Sequence, residues 1–519
     1  MSEHKKVLLH ISDLKQYFPV GKKQFGKEQL FVKANDGISL DIYEGETFGL
    51  VGESGCGKST FGRTLLQLYH QTAGRSIYYG RTIEEIAPKY VADIFENLPE
   101  KKKKCEEARE KAKKLRTEWE NMPEGTAKNI ELQKLNEAET IAKNELLDIT
   151  ALIGGLYVAD NLKEISQVYV NEYHATLNRR KLKEQITGLK AEISNKKSSM
   201  KEKGKSDNEI NSMVRTLEGK VQQLESQVMQ EEKKIKEEAT KIQGYKKENQ
   251  KKKEFALYES FMDNGINLAN LTDVEMRFLR RDLQLIFQDP YSSLNPRMTV
   301  GQIIGEGLQA HHLFKKGDGK MQDYIMEVME KCGLASYFIH RYPHQFSGGQ
   351  RQRIGIARSL AVNPKFVVCD EAVSALDVSI QSQIINLLLD LKEQNHLTYL
   401  FISHDLSVIK YISDRIGVMY LGNMVELCKT AELFERPYHP YTEALLSAIP
   451  TTDMDKKKEV IVLEGDIPSP IKPPRGCKFH TRCQHCTEIC KEVEPKFEEV
   501  THGHFVACHH KLNVLEKKK

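Results

Sequence analysis

Gly52-Glu53-Ser54-Gly55-Cys56-Gly57-Lys58-Ser59-Thr60 is the stretch on which the reading of this chain turns. It fits the pattern G-x-x-x-x-G-K-[ST], and the apolar run Thr47–Val51 stands before it as a strand should. Glycines let the backbone curl until successive N–H groups face one phosphate, and the helix that follows adds its positive N-terminal end. Gly52, Ser54, Gly55, Cys56, Gly57 and Thr60 would form the cradle. Lys58 would reach the β- and γ-phosphates, and the Ser59 hydroxyl would ligate Mg²⁺. The stretch reads as a nucleotide-binding site.

Working outward, residues 7–18 and 30–43 read as strands, and Glu44-Gly45-Glu46 as the turn leading into the phosphate loop. Phe61, Leu65, Leu66 and Leu68 recur at helical spacing and predict a helix over 58–69; a short strand is expected at 72–79. After Pro88 the composition shifts to Lys, Glu, Asn and Gln. Leu182, Ile186, Leu189 and Ile193 form one apolar seam; Leu217, Val221, Leu224, Val228, Ile235 and Ile242 form another, with Glu231 in one seam position. This seven-residue repeat predicts a coiled coil, folded as an antiparallel hairpin over ~175–250. Lys203-Gly204-Lys205-Ser206-Asp207-Asn208 would be its turn and helix cap. Further helices are expected at about 92–120 and 127–150. The block is either a solvated spacer or an arm that docks an unknown protein. A net charge of +4 is too small to argue for nucleic acid, and no such partner is expected.

The globular pattern returns at Leu271. Strands are expected at 283–287, 365–369 and 399–402, with helices at 301–311, 320–332 and one opened by the stretch from Phe346 and running to Leu360. Strands alternating with helices predict a mainly parallel sheet. Each expected strand ends in polar residues, where open α/β sheets place their ligands. Asp370 is a candidate Mg²⁺ ligand. Glu371 is the candidate general base for an attacking water, Gln288 is placed to touch metal and water, and His404 the γ-phosphate.

In this order the motifs resemble those of the ATP-binding-cassette ATPases. They are the phosphate loop, Gln288, Ser347-Gly348-Gly349-Gln350, Asp370-Glu371, Ser374-Ala375-Leu376-Asp377 and His404. Phe346 stands where Leu is commoner. The resemblance covers residues 7–88 and 270–425. It implies a RecA-like α/β core with a helical subdomain, here interrupted by the coiled coil. It also implies that Ser347, Gly349 and Gln350 serve the ATP held by a second cassette, and that an upstream aromatic stacks on adenine, Phe18 or alternatively Tyr17. Residues 286–296 and Tyr438-His439-Pro440-Tyr441-Thr442-Glu443-Ala444-Leu445-Leu446 are similar to the oligopeptide/dipeptide importer ATPases, and the Phe346 signature with Asn295-Pro296-Arg297-Met298 to the OppF-type subunit. The partners so implied are an OppD-type ATPase, two membrane permeases and, indirectly, an extracellular binding lipoprotein. Related dipeptide or nickel importers share the pattern. A non-transport coiled-coil ATPase of this class is disfavoured, because its coil would follow the Gln-bearing strand.

Cys477, Cys483, Cys490 and Cys508 follow C-x₅-C-x₆-C-x₁₇-C, a tail pattern of the peptide-importer ATPases that implies a [4Fe–4S] cluster. Four thiolates suit tetrahedral Zn²⁺ as well, and a cluster of thiols that holds no metal is the third reading. Cys486, His480, His485 and His509 lie nearby, so the ligand set stays open. The 519 residues thus divide into 1–88 and 269–435 for the cassette, 89–268 for the insertion and 436–519 for a small Cys-rich domain. There is no apolar run long enough to span a bilayer. The first six residues lack the apolar stretch of a secretory signal. A peripheral position on the cytoplasmic face of the membrane is expected.

Overall fold

The computed structural model describes residues 5–21, 29–123, 125–202, 204–314, 319–449 and 460–513; residues 1–4 and Lys203, read above, lie outside these. The chain divides into two compact units, Met1–Gly80 with Asn267–Lys519, and Arg81–Ile266. The composition changes at Pro88. The second unit starts earlier because Thr82 caps a short helix, Ile83–Ile86, through a capping box with Glu85.

Among the described residues the strands are β1 (Val7–Pro19), β2 (Phe31–Tyr43), β3 (Thr47–Val51), β4 (Ala73–Tyr78), β5 (Ile266–Asn267, at the junction), β6 (Leu283–Ile286), β7 (Phe366–Asp370), β8 (Thr398–Ile402), β9 (Arg415–Tyr420), β10 (Asn423–Lys429), β11 (Glu498–Thr501) and β12 (His504–Val506). Two sheets result, a four-stranded one in the order β2-β1-β4-β5 and an eight-stranded one in the order β11-β12-β10-β9-β3-β8-β7-β6. The middle of the larger sheet is parallel: β3 pairs with β8 and β9, and β7 with β6 and β8. Its strands β3, β7 and β8 are buried throughout, as continuous apolar runs predict for a sheet covered on both faces. The expected parallel character ends at β9. A two-residue connection can only return the chain antiparallel, so β10 and, beyond it, the C-terminal β12 and β11 run antiparallel.

The helix after the phosphate loop stops at Leu65 rather than near residue 69, because Leu66 caps it and Gln67 takes a left-handed conformation. It packs close on the sheet at Gly62, where a Cβ would lie 2.8 Å from Val368 Cγ1. Phe346 is buried in the main apolar core and meets Phe338 edge-on. The aromatic in place of Leu is thus a packing variant.

In the second unit, helices Leu162–Glu202 and Asp207–Asn249 run antiparallel. Ile186, Ile193, Val214, Val221 and Val228 are buried between them. Lys183–Glu232, Lys190–Glu225 and Lys197–Glu218 pair across at 3.0, 2.8 and 2.8 Å, stepping by a heptad up one helix and down the other. Such exposed pairs contribute little energy each, so the apolar seam holds the hairpin together and the charges favour its register. Ser206 and Glu209 form the capping box that starts the second arm. The seam ends at Val228. Beyond Glu231, Ile242 joins a separate core with Val91, Leu98, Ile149, Leu156 and Ile165 at the base of the hairpin, and Ile235 lines a cavity there.

Candidate active site

The phosphate loop is shaped by two backbone approaches that exclude any side chain. Gly57 has φ +101°, and a Cβ there would stand 2.0 Å from the Ala34 carbonyl oxygen; a Cβ on Gly52 would stand 2.2 Å from that of Met419. Asn35 Nδ2 donates to Gly57 O at 3.1 Å, and Gly422 N to Cys56 O at 3.0 Å. The loop is thus wedged between β2 and the β9–β10 turn. Lys58 is buried, and its ammonium donates to the carbonyl oxygens of Gly52 and Glu53 at 2.7 and 3.0 Å. Cys56 Sγ lies 3.8 Å from that ammonium. Burial pushes the Cys56 thiol up against the opposing influence of Lys58. It is a packing group.

Both carboxylates arrive at the C-terminal end of β7, Asp370 as its last residue and Glu371 directly after it. Asp370 is fully buried; it accepts the Ser59 hydroxyl at 2.6 Å and Arg63 Nη2 at 3.0 Å. Glu371 has φ +47°, a conformation that costs a non-glycine residue energy and marks sites where geometry is imposed. Its N–H donates to Ile402 O at 3.0 Å, holding it in place despite that strain. Gln288 Nε2 donates to Glu371 Oε2 at 2.7 Å, and His404 Nδ1 stands 3.5 Å from Glu371 Oε1. The same local device delivers both neighbours. Asp289 and Asp405 each cap a helix by accepting two backbone N–H groups. Gln288 and His404 occupy the residue before each cap. Ser59, Asp370, Glu371, Gln288 and His404 therefore form one chain of contacts. Ser59 and Asp370 place two hard oxygen donors side by side, which fits Mg²⁺; Ser59, Asp370 and Gln288 are the residues that would hold it.

Ser347 caps the helix Gly348–Leu360 and exchanges hydrogen bonds with Gln350 in a capping box, leaving Ser347 exposed. Gly349 is packed on Ile380, whose Cγ2 a Cβ would approach to 2.5 Å. Tyr17 and Phe18 differ in engagement. The Tyr17 hydroxyl hydrogen-bonds Asp36, whereas Phe18 meets Tyr69 edge-on at 5.2 Å and stays partly exposed.

Four contacts were not readable from residue order. Arg63, in the second turn after Lys58, carries no motif, yet it neutralises Asp370. Its guanidinium is held above its ordinary value by Tyr69 and Asp370, against the opposing effect of burial. Asn35 comes from a strand of the other sheet. The remaining two come from the C-terminal region. Tyr441 Oη accepts the Glu53 N–H at 2.9 Å, and Arg482 makes a two-pronged ion pair with the Glu53 carboxylate at 2.7 and 3.1 Å. Tyr441 lies in a motif that the sequence displays; Arg482 stands next to Cys483 with nothing to mark it.

The C-terminal thiols converge. Cys477, Cys483, Cys490 and Cys508 line one cavity of about 10 Å³ together with His480, His485 and His509; Cys486 is not among its lining residues. Cys477 N donates to Cys490 O at 2.8 Å, tying two of the segments together. Burial, with added repulsion from the neighbouring thiols, pushes Cys477 up to about 12 and Cys508 up to about 11. The donor chemistry suits a soft metal or cluster. Among the described residues, however, no three Cys, His, Asp or Glu side chains stand in an arrangement that holds a metal ion.

With this geometry in hand, the fold and site define an ATP-hydrolysing cassette. The family model described as "ABC transporter" matches residues 35–260 and 256–374, and the one described as "Oligopeptide/dipeptide transporter, C-terminal region" matches residues 425–490. The chain belongs to the ABC transporter ATPases. It is 52% identical over 248 residues to the oligopeptide transport ATP-binding protein AppF of Bacillus subtilis (strain 168), covering 47% of this chain and 75% of that one. To the oligopeptide transport ATP-binding protein OppF of Haemophilus influenzae it is 49% identical over 248 residues, covering 47% and 74%. Among the described residues, no helix is long and apolar enough to cross a membrane.

Proposed function

We propose that this chain powers the uptake of oligopeptides, as one of two ATPase subunits bound beneath a pair of permeases at the cytoplasmic face of the membrane. The observation that carries the cargo is the C-terminal region matched at residues 425–490; its Tyr441 grips the phosphate loop at Glu53. In this reading Lys58 and the loop N–H groups hold the β- and γ-phosphates. Ser59, Asp370 and Gln288 hold Mg²⁺, which when bound neutralises charge on the leaving phosphates. Glu371 takes the proton of the attacking water, Gln288 and Glu371 orient that water, and His404 contacts the γ-phosphate. Phe18 stacks on adenine. Ser347, Gly349 and Gln350 complete the ATP site of the partner ATPase. Cells deleted for this chain are expected to lose uptake of a labelled pentapeptide and to regain it with the parent sequence but not with Glu371→Gln. Recovery of nickel or dipeptide uptake alone would move the assignment to those importers.

The finer readings belong to the same proposal. The hairpin of the inserted unit is a coiled coil, supported by its heptad ion pairs, and serves as an arm that docks another protein. The four C-terminal thiols take a [4Fe–4S] cluster, with Zn²⁺ as the alternative; the convergence of the four side chains and their soft donor set support the reading. Protein purified without oxygen should contain about four irons and four sulfides per chain and absorb visible light through thiolate-to-iron charge transfer. Zinc in their place, or a metal-free chain that folds normally, would each remove the cluster.

A further inference from the structure

The inserted unit contains a cavity of about 550 Å³, formed where the base of the helical hairpin meets the shorter helices. That volume is in the range that admits a small organic ligand, roughly 300–1,000 Å³. Its walls are largely apolar and aromatic. Phe95 and Tyr169 stack with centroids 4.8 Å apart and Tyr173 stands edge-on to Phe95, while Ile242 and Ala239 form part of the lining.

The charges are unbalanced. Lys246 lines the cavity, but its ammonium is taken up by Glu259 at 2.6 Å. At the rim, Glu84 is paired with Arg179 at 3.5 Å. Glu172, half-buried among the aromatic residues, has no hydrogen-bond or ion-pair partner among the described residues. Burial, reinforced by repulsion from Glu84 and Glu238, pushes its carboxyl up to about 6. A carboxylate taken out of water without a partner is costly, and aromatic faces around it attract positive charge.

We infer that this cavity is a binding site for an amphipathic organic cation, whose ammonium or guanidinium pairs with Glu172 and whose apolar body lies against Phe95, Tyr169 and Tyr173. The site is built entirely from residues of the second unit, none of which belongs to the ATP machinery.

A matched pair of probes tests this on the full-length chain by calorimetry: tryptamine, which is cationic, and 3-propylindole, its neutral near-isostere. Tryptamine is expected to bind at least about tenfold more tightly than 3-propylindole, and Glu172→Gln to erase most of that difference. Ala239→Trp, which fills the cavity without altering charge, is expected to abolish binding of both probes. Helix content and ATP affinity should be unchanged in both variants, which separates lost binding from lost folding. Equal affinity for the two probes, undiminished tryptamine binding by Glu172→Gln or by Ala239→Trp, or no binding of tryptamine at all would each overturn the inference.

Discussion

Replacing Glu371 by Gln is expected to cut ATP hydrolysis by at least about 100-fold, the lower end of what a positioned general base contributes, while ATP affinity stays within about threefold. The change is nearly isosteric, and it removes only the basicity of a side chain whose position is otherwise fixed. The backbone N–H of residue 371 would still be held by Ile402 O, and Gln288 would still have an oxygen to bond. Phosphate release under saturating ATP gives the rate, and equilibrium binding of ATP gives the affinity. A variant that turns over within about tenfold of the parent would show that the base lies elsewhere. His404, 3.5 Å from the same carboxylate, would then be the group to change next.

Replacing Arg482 by Ala should be the most damaging single change outside the motifs. Its side chain is 7% exposed and that of Glu53 25%. The substitution would leave the Glu53 carboxylate without its forked partner at the start of the phosphate loop. Removing one member of a fully buried pair costs about 3–5 kcal/mol; the partial exposure of Glu53 lowers the expectation to about 2 kcal/mol. Thermal unfolding of the cassette should shift down by a few degrees. The KM for ATP should rise several-fold with a smaller change in kcat, because the loop is displaced while Asp370 and Glu371 are not. Arg482→Lys should recover only part, since an ammonium cannot make the two parallel bonds. Adding Glu53→Gln to Arg482→Ala should restore much of the stability by removing the stranded charge. If Arg482→Ala leaves both KM and the unfolding midpoint unchanged, the ion pair does nothing for the loop.

The cysteine-rich tail acquires a meaning from this contact that its spacing does not convey. Arg482 stands one residue before Cys483, which lines the thiol cavity. The backbone that lines that cavity also carries Arg482, and Arg482 in turn grips the phosphate loop at Glu53. Glu426 secures the same region from below: fully buried on β10, it accepts the backbone N–H groups of Tyr438 and His439 and lies 2.7 Å from His504 Nε2. Burial holds His439 down to about 4, so it is neutral in the fold, and its Nδ1 accepts the Tyr441 N–H at 3.0 Å.

Much of the site was legible in the sequence because its chemistry is local. A phosphate loop needs its glycines and its lysine within nine residues, and Asp370-Glu371 or Gln288-Asp289 announce themselves as polar pairs ending apolar strands. The heptad seam was legible for the same reason, each position predicting the next. Its end at Val228 was not, because Ile242 satisfies the repeat equally well and only the neighbouring helices decide that it joins another core. The helix after Lys58 is shorter than its apolar period predicts, for a similar reason. Leu66 and Leu68 fit its period, but the turn at Gln67 ends it.

By itself the sequence determined an α/β cassette with a single phosphate loop, the order and identity of its catalytic candidates, and a charged helical hairpin inserted between two strands. These are properties of spacing along one chain. Tertiary structure alone decided that Arg63 neutralises Asp370, that Tyr441 and Arg482 grip the phosphate loop, that four distant thiols line one cavity, and that Glu172 lies beside aromatic rings with no ion-pair partner among the described residues. Each of these joins residues far apart along the chain whose individual types are unremarkable. Such contacts arise only when packing has fixed where each segment goes, so no local pattern records them.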